Sequence, residues 1–205
     1  LINGRRVPVN TRSAVMKRKT KETEIALEFT LDGTGKSQIE TGIGFFDHML
    51  DSFCRHGFFD MKLSVKGDLD VDSHHTVEDT GIVLGQAIKS ALGDKQGISR
   101  YGSFLLPMDE TLVLCAIDLS GRPYLVFDGE YTVDRIGSMD TELVKEFFYA
   151  ISYSAGMNLH IRKISGVNNH HIMEATFKAF AKALDAACRV DERVQGVLST
   201  KGTMD

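Results

Sequence analysis

One part of the chain occurs twice, and this internal repeat restricts the folds that are open to it. The stretch 61–87 aligns without a gap with the stretch 157–183, at a constant offset of 96 residues. Each copy begins with alternating apolar residues, continues through a polar turn and ends in an apolar pattern of helical period. A register held over this length predicts two related halves, each with a strand followed by a helix.

Within the repeat, two adjacent histidines and a glutamate recur with the same spacing. The two copies of this His-His-x-x-Glu motif are His74, His75 and Glu78, and His170, His171 and Glu174. Imidazole and carboxylate groups are ligands of divalent metals. On a helix, each glutamate shares a face with the histidines three and four residues before it. Adjacent histidines diverge by about 100° around the axis, so the motifs predict a centre with two metal ions.

The repeat extends upstream if a gap of two residues is allowed. His48 then falls opposite Glu146, so that each half contributes one further side chain capable of binding a metal. The remaining internal histidines have no such partner. His160 lies in an alternating segment and is predicted to face solvent from a strand, whereas the sequence leaves the role of His56 open.

Composition excludes several classes of protein. The 205 residues suffice for one compact domain built from two halves. A formal net charge of −4 is unlike that of a nucleic-acid binder. The three cysteines are widely spaced, which is typical of free thiols in a reducing cytosol. Because no apolar run reaches the roughly 18 to 20 residues of a membrane span, we expect a soluble, cytoplasmic protein that binds neither nucleic acid nor membrane.

Helical and strand patterns interleave along the chain, which predicts an α/β or α+β fold with sheets packed on helices. Strands are expected at 22–31, 111–118 and 124–130, and helices at 46–55, 77–91, 141–156 and 172–189. The Asp-Gly-Thr-Gly segment at 32–35 predicts a hairpin turn. We expect an irregular leader over residues 1–15 and a single domain over 16–205, with repeats at about 18–95 and 105–190 and a C-terminal tail.

Four cations occur in loops or on the face of a motif helix, where they could bind an anion. They are Arg100, Arg122, Lys178 and Lys201. Arginine would hold a phosphate as a bidentate fork and lysine as a point charge. The alternative is that each is simply solvated, and the sequence alone does not bring the four together.

In combination, these motifs strongly resemble those of the imidazoleglycerol-phosphate dehydratases, a family of histidine-biosynthesis enzymes. The longest matches are Gly-Ile-Gly-Phe-Phe-Asp-His-Met-Leu at 42–50, Asp-Ser-His-His-Thr-Val-Glu-Asp at 72–79, Asn-His-His-Ile-Met-Glu-Ala at 169–175 and Ser-Thr-Lys-Gly at 199–202. Shorter matches occur at 21–23, 100–102, 107–110 and 120–123. The resemblance covers the chain from about residue 18 to residue 202.

The resemblance implies a duplicated α/β fold, two Mn²⁺ ions per site, and trimers that assemble into a shell of 24 subunits with sites between subunits. Both motifs, His48 and the residue at position 146 would hold the metals, and His48 would thereby take part in catalysis. Many relatives have histidine where this chain has Glu146, which leaves the metal preference open. The residues implied in binding the substrate phosphate are Arg100, Arg122, Lys178, Ser199 and Lys201.

The implied reaction removes water from D-erythro-imidazole glycerol phosphate, a small-molecule phosphate, and yields imidazole acetol phosphate. Two metals on the two ring nitrogens would favour an imidazolate, which can expel the C3 hydroxyl before the C2 proton leaves. Glu22 is the candidate acid or base at the hydroxyl. Asp109 is a second catalytic candidate, with an orienting role as its alternative.

Two other functions compete with this interpretation. A two-metal phosphohydrolase would also use histidine, glutamate and basic residues, although it usually has Asp-rich ligand motifs. A metal-storage protein would account for the ligands but would have no need of the scattered cations.

Overall fold

The structure, a computed structural model, describes residues 11–204. The elements of the first half are β1 (Ser13–Lys19), β2 (Thr23–Thr30), β3 (Ser37–Glu40), α1 (Gly44–Gly57), β4 (Asp60–Gly67) and α2 (His74–Leu92). Those of the second half are β5 (Tyr101–Met108), β6 (Thr111–Asp118), β7 (Tyr124–Asp128), β8 (Arg135–Ile136), β9 (Met139–Asp140), α3 (Leu143–Ala155), β10 (Asn158–Ser165) and α4 (Asn169–Cys188).

The two halves have the same sheet topology, which confirms the predicted duplicated α/β fold. The first sheet has the strand order β1-β2-β4-β3 and the second the order β5-β6-β10-β7. In each, the first three strands pair antiparallel and the last pair is parallel. The short hairpin β8-β9 is additional to this pattern. The repeat detected around one strand and one helix therefore extends to whole half-domains.

The helices α1 and α3 show where the two-residue gap in the repeat arises. Each ends in a left-handed residue, Phe58 with φ 58° and Gly156 with φ 67°. The backbone N–H of Phe58 donates to Cys54 O, and that of Gly156 donates to Ser152 O, as in a helix C-terminal cap. Counted back from these caps, His48 and Glu146 occupy equivalent positions. The gapped alignment is therefore the correct one for these helices.

One continuous hydrophobic core joins the halves. Helix α1 packs on α4, and α2 packs on α3. Phe53 of α1 stacks on Phe180 of α4 with ring centroids 5.5 Å apart, and Phe46 meets Phe147 of α3 edge-on at 5.2 Å. Each such buried ring contributes about 1.5–3 kcal/mol relative to an exposed one. Because the helices pair across the repeat, each motif helix is held by a helix of the other half.

The predicted hairpin at residues 32–35 is wrong. The segment leads from β2 to β3, but β4 lies between these two strands, and β3 pairs parallel to β4. The turn is held instead by Asp60 at the start of β4, whose Oδ1 accepts hydrogen bonds from the N–H groups of Thr34 at 2.8 Å and Lys36 at 2.9 Å. Asp-Gly chemistry thus predicted a turn correctly, while the pairing depended on the distant strand β4.

The prediction differs from the structure at three edge strands, of which β3 was not predicted at all. Strand β1 begins at Ser13, within the stretch 1–15 that was expected to be irregular; residues 1–10 lie outside the described part. Strand β5 was not predicted, because its residues do not alternate between apolar and polar and because it contains Pro107. Its burial pattern in the structure does not alternate either. As an edge strand, β5 can accommodate a residue without an N–H.

His160 is exposed on β10, as predicted. None of the helices in the described part is long and apolar enough to span a bilayer. The cytoplasmic location stays a prediction.

Candidate metal centre

Three of the predicted ligands meet where α1 crosses the first turns of α4. His170 Nε2 lies 3.0 Å from Glu174 Oε2, and His48 Nε2 lies 3.6 Å from the same oxygen. One potential ligand atom from each of the three residues lies within 4.8 Å of the other two. Within residues 11–204, no other three histidine, cysteine or acidic side chains gather this closely. This cluster is the best-formed candidate metal site of the described chain.

The start of α4 is fixed by a local capping interaction. Asn168 Oδ1 accepts hydrogen bonds from the backbone N–H groups of His170 and His171 at 3.0 and 3.3 Å. At the repeat-equivalent position before α2, one residue ahead of the N-cap Ser73, Asp72 Oδ1 accepts from the N–H of His74 at 2.7 Å. Asparagine and aspartate are favoured there because they satisfy N–H groups that have no partner within the helix. Both motifs therefore begin on a secured first turn.

Glu174 is held in a state suited to metal binding. Its side chain is only 11% exposed, and Lys178 Nζ lies 2.5 Å from its Oε1. Burial acts to raise the pKa of this carboxyl, but the hydrogen bond and charge of Lys178, with His170 and His48, hold the pKa below its ordinary value. The residue is therefore ionised at neutral pH, which is the form that a metal-binding carboxylate requires.

The adjacent histidines point in different directions in both motifs. The rings of His74 and His75 are 6.0 Å apart with an interplanar angle of 89°, and those of His170 and His171 are 6.3 Å apart at 88°. This is the divergence expected of neighbours on a helix. The geometry suits the binding of the two histidines of one motif to different metal ions.

The second histidine of each motif lies between two carboxylates. His75 Nδ1 is 3.0 Å from Asp68 Oδ2, and its Nε2 is 3.8 Å from Glu22 Oε1. His171 Nδ1 is 2.9 Å from Glu110 Oε2, and its Nε2 is 3.8 Å from Asp109 Oδ2.

These carboxylates raise the pKa of both rings. The main cause is the hydrogen bond of His75 to Asp68 and of His171 to Glu110. The carboxyl of Glu110 shifts the opposite way, and its pKa is held well below the usual range by His171 and by the N–H of Asn168. Neither Asp68 nor Glu110 was predicted from the sequence. Only Glu110 had a signal there, as the last residue of the family match at 107–110.

The ligands of the first motif do not form a comparable cluster within one chain. His74 Nε2 and Glu78 Oε2 face each other across one helical turn at 3.8 Å. Glu146 is half-buried and lines a surface pocket with Asp128 and Lys145. In the described chain it does not join His74 and Glu78 in a group of three ligands. The described chain therefore gathers one group of three candidate ligands and leaves the candidates of the first motif apart.

Most of the predicted phosphate-binding residues share one surface cavity of about 720 Å³. Its lining includes Arg100, Arg122, Ser199 and Lys201. Lys178 is not part of this cavity, because it pairs with Glu174 on α4. The tertiary structure thus unites four of the five residues, although they lie up to 101 positions apart in the chain.

The cations of the cavity differ in how they are held. Arg100 is bound to Asp118 at 2.7 Å and donates from Nη1 to Leu198 O at 2.7 Å, which ties the C-terminal tail to the start of β5. Arg193, which was not predicted, also lines the cavity but is paired with Asp191 at 2.5 Å. Within the described residues, the side chains of Arg122 and Lys201 form no ion pair. These two are the cations available to an anionic ligand.

Comparison with known proteins gives matches over most of the chain. The family profile described as Imidazoleglycerol-phosphate dehydratase matches residues 41–184. Among curated proteins, the imidazoleglycerol-phosphate dehydratase of Lachnoclostridium phytofermentans is 73% identical over 194 residues, which covers 95% of this chain and 99% of that protein. That of Acetivibrio thermocellus is 60% identical over 189 residues, covering 92% and 97% respectively.

Solved structures give the same result at the level of the fold. The imidazoleglycerol-phosphate dehydratase of Staphylococcus aureus superposes with a TM-score of 0.80 at 39% identity, covering 87% of this chain and 99% of that one. The dehydratase from Pyrococcus furiosus has a TM-score of 0.79 at 38% identity and covers 92% and 99%.

Proposed function

Since the chain belongs to the imidazoleglycerol-phosphate dehydratase family and is a hydro-lyase of histidine biosynthesis, we propose that it acts through a site that holds two Mn²⁺ ions. Its substrate is D-erythro-imidazole glycerol phosphate and its product imidazole acetol phosphate. The observation that carries the metal proposal is the cluster of His48, His170 and Glu174, with ligand atoms within 4.8 Å of one another.

The donor set fits Mn²⁺. Two imidazole nitrogens and one ionised carboxylate oxygen suit a borderline-to-hard divalent ion. One ion is assigned to His48, His170 and Glu174. The other is assigned to His74 and Glu78, together with Glu146, which occupies the position on α3 that His48 occupies on α1. His75 and His171 would offer their Nε2 atoms to the two ions.

A site shared between subunits accounts for the open side of the centre. In a single chain the side chains of His48, His170 and His74 are 50%, 45% and 42% exposed, so ligands from a second chain have room to approach. We propose a homo-oligomer of trimers, assembled to 24 subunits. The exposed, stacked rings of Tyr149 and Tyr153, 4.3 Å apart on α3, support an interface on that helix.

The residues of the chain have separate tasks in the dehydration. Bound metal ions supply positive charge that favours the deprotonated form of the substrate's imidazole ring. Glu22 delivers a proton to the C3 hydroxyl, whose bond to carbon breaks so that it leaves as water; the half-exposed Glu22 side chain lies 3.8 Å from His75 Nε2. Asp109 has the corresponding place near His171 and is the second candidate for proton transfer. Arg122 and Lys201 hold the phosphate, and Ser199 and Arg100 of the same cavity assist.

The test is an assay of the purified protein with imidazole glycerol phosphate and Mn²⁺, in which ketone product and free phosphate are both measured. Ketone without phosphate is expected. Phosphate release would instead identify a hydrolase, and neither product would favour metal storage. Glu174→Gln removes the charged ligand with little change in shape, and we expect it to lose bound Mn²⁺ and turnover together. Glu28→Gln, an exposed glutamate of β2, is the matched control and should keep both.

A further inference from the structure

The second histidine of each motif is bound at Nδ1 by a carboxylate outside the motif. Asp68 approaches His75 Nδ1 with both oxygens, at 3.2 and 3.0 Å. Glu110 approaches His171 Nδ1 at 2.9 Å. No such carboxylate lies against Nδ1 of His74 or His170 in the described chain, where each ring faces the glutamate of its own motif through Nε2. The Nδ1 carboxylate is therefore a property of the second histidines.

We propose that Asp68 and Glu110 are positioning residues that orient His75 and His171 for metal binding. A carboxylate is only an acceptor, so it requires the ring proton on Nδ1. The neutral ring then has its lone pair on Nε2. The same bond restricts rotation of the ring and raises the basicity of the nitrogen that faces the metal. This inference rests on the proposed two-metal function.

Glu110 is itself held from several sides. While Oε2 faces His171, Oε1 accepts the backbone N–H groups of Val167 at 3.2 Å and Asn168 at 2.9 Å, and the hydroxyl of Thr111 at 3.1 Å. These bonds lie at the N-terminal end of α4, where a negative charge is favourable. A carboxylate held by this many hydrogen bonds has one orientation, and its bond to Nδ1 fixes the orientation of the His171 ring.

Asp68 connects its histidine to the turn that carries Glu22. It follows the last residue of β4, and its backbone N–H donates to Glu22 O at 3.1 Å. Its carboxylate meanwhile binds the His75 ring. Asp68 thus sets the position of His75 relative to the β1-β2 turn, where the candidate acid or base Glu22 lies 3.8 Å from Nε2 of the same ring.

The two positioning carboxylates do not come from equivalent places in the repeat. Glu110 immediately precedes β6, as Glu22 immediately precedes β2, so these two residues are equivalent in the repeat. However, Glu110 faces Nδ1 of His171, whereas Glu22 faces Nε2 of His75. Asp68 corresponds to Ile164 at the repeat offset. The halves therefore reach the same Nδ1 arrangement through different residues. Inheritance from the duplication does not explain this agreement, whereas a shared requirement on the two histidines does.

The test compares Mn²⁺ affinity of the full-length oligomer carrying Asp68→Asn or Glu110→Gln with that of the unchanged protein. Both substitutions keep the shape and an acceptor oxygen but add an NH₂ group that permits the other ring tautomer. Free Mn²⁺ is counted by its EPR signal during titration. Loss of such a partner typically weakens metal binding about 10- to 100-fold, and we expect a change in this range. Asp70→Asn removes the same charge from an exposed neighbour without a ring contact, and it should bind Mn²⁺ as before.

Thermal unfolding of the metal-free protein separates positioning from a structural role. Weakened Mn²⁺ binding with an unchanged metal-free midpoint supports the proposal, and partial recovery in Asp68→Glu or Glu110→Asp supports it further. Affinity within twofold of the unchanged protein overturns it. An equal loss of metal-free stability overturns it in favour of a structural role. If the unchanged protein binds no Mn²⁺, the proposed function fails as well, which distinguishes that result from failure of the positioning argument alone.

Discussion

The contact between α2 and α3 makes Gly81 the position where a single added methyl group should have a large effect. A Cβ there would lie 2.8 Å from Phe147 O and 2.9 Å from Ala150 Cβ. One turn later, a Cβ at Gly85 would lie 2.7 Å from Ser154 Cβ. Such backbone and Cβ atoms cannot rotate away, so Gly81→Ala must push the helices apart.

The expected magnitude follows from two opposing effects. To relieve the contacts, α2 and α3 must separate by roughly half an ångström, which sacrifices a quarter or more of the dispersion energy along the contact. Overpacking of this kind costs about 1–3 kcal/mol, and rigid neighbours favour the upper end. Against this cost, alanine has a higher helix propensity than glycine and stabilises the helix by about 1 kcal/mol. The net destabilisation is about 2 kcal/mol, which lowers the Tm of a chain of this size by about 4–8 °C.

The assay is thermal unfolding followed by far-UV circular dichroism, at fixed protein concentration and with chelator present, because bound metal would add its own stabilisation. Gly44→Ala is the matched control, since a Cβ at this first residue of α1 meets nothing within 4 Å. It should leave the Tm unchanged or slightly raised. If Gly81→Ala unfolds at or above the temperature of the unchanged protein, α2 and α3 are not in the close contact described, and the reasoning fails.

Three further substitutions have defined outcomes. Glu22→Gln should keep the bound Mn²⁺ but lower kcat by about 10²- to 10⁴-fold, as for loss of a general acid or base; unchanged turnover would remove Glu22 from the mechanism. Asp79→Ala leaves Arg18 and Thr23 without their shared buried acceptor. Breaking a buried pair costs about 3–5 kcal/mol, and because the Arg18 side chain is 30% exposed we expect about 2–3 kcal/mol by urea unfolding. The hydrogen bond from Arg12 lowers the pKa of Asp32 against the opposing effect of burial. The free energy that the Arg12–Asp32 pair contributes to folding is therefore fully present above the pKa of Asp32 in the unfolded chain, about 4. It is lost as the pH falls through the lower pKa of Asp32 in the folded chain. Urea unfolding at a series of pH values should show Asp32→Asn less stable near neutrality, with the difference shrinking below about pH 4; a constant difference would contradict this assignment.

The duplication could be predicted because the two copies share the same local pattern of apolar and polar residues. Periodicity reports which face of a strand or helix is buried, and burial of Met61, Leu63 and Val65 is matched by that of Met157, Leu159 and Ile161. The divergence of adjacent histidines also follows from helix geometry alone. By contrast, the pairing of β3 with β4 depended on a strand beyond helix α1. The edge strand β5 pairs with its chain neighbour β6, but it lacks the alternating pattern that would have predicted it.

The site divides in the same way. The sequence by itself determined the types of candidate ligand, their spacing on two helices and the correspondence of His48 with Glu146, because these depend on neighbours within a turn or on a repeat. Only the tertiary structure brought His48 to Glu174, gathered Arg122 with Lys201, and put Asp68 and Glu110 against the two histidines. These contacts join residues from different strands, helices and loops, and such distances are set by how the two sheets and four helices pack, which no local pattern encodes.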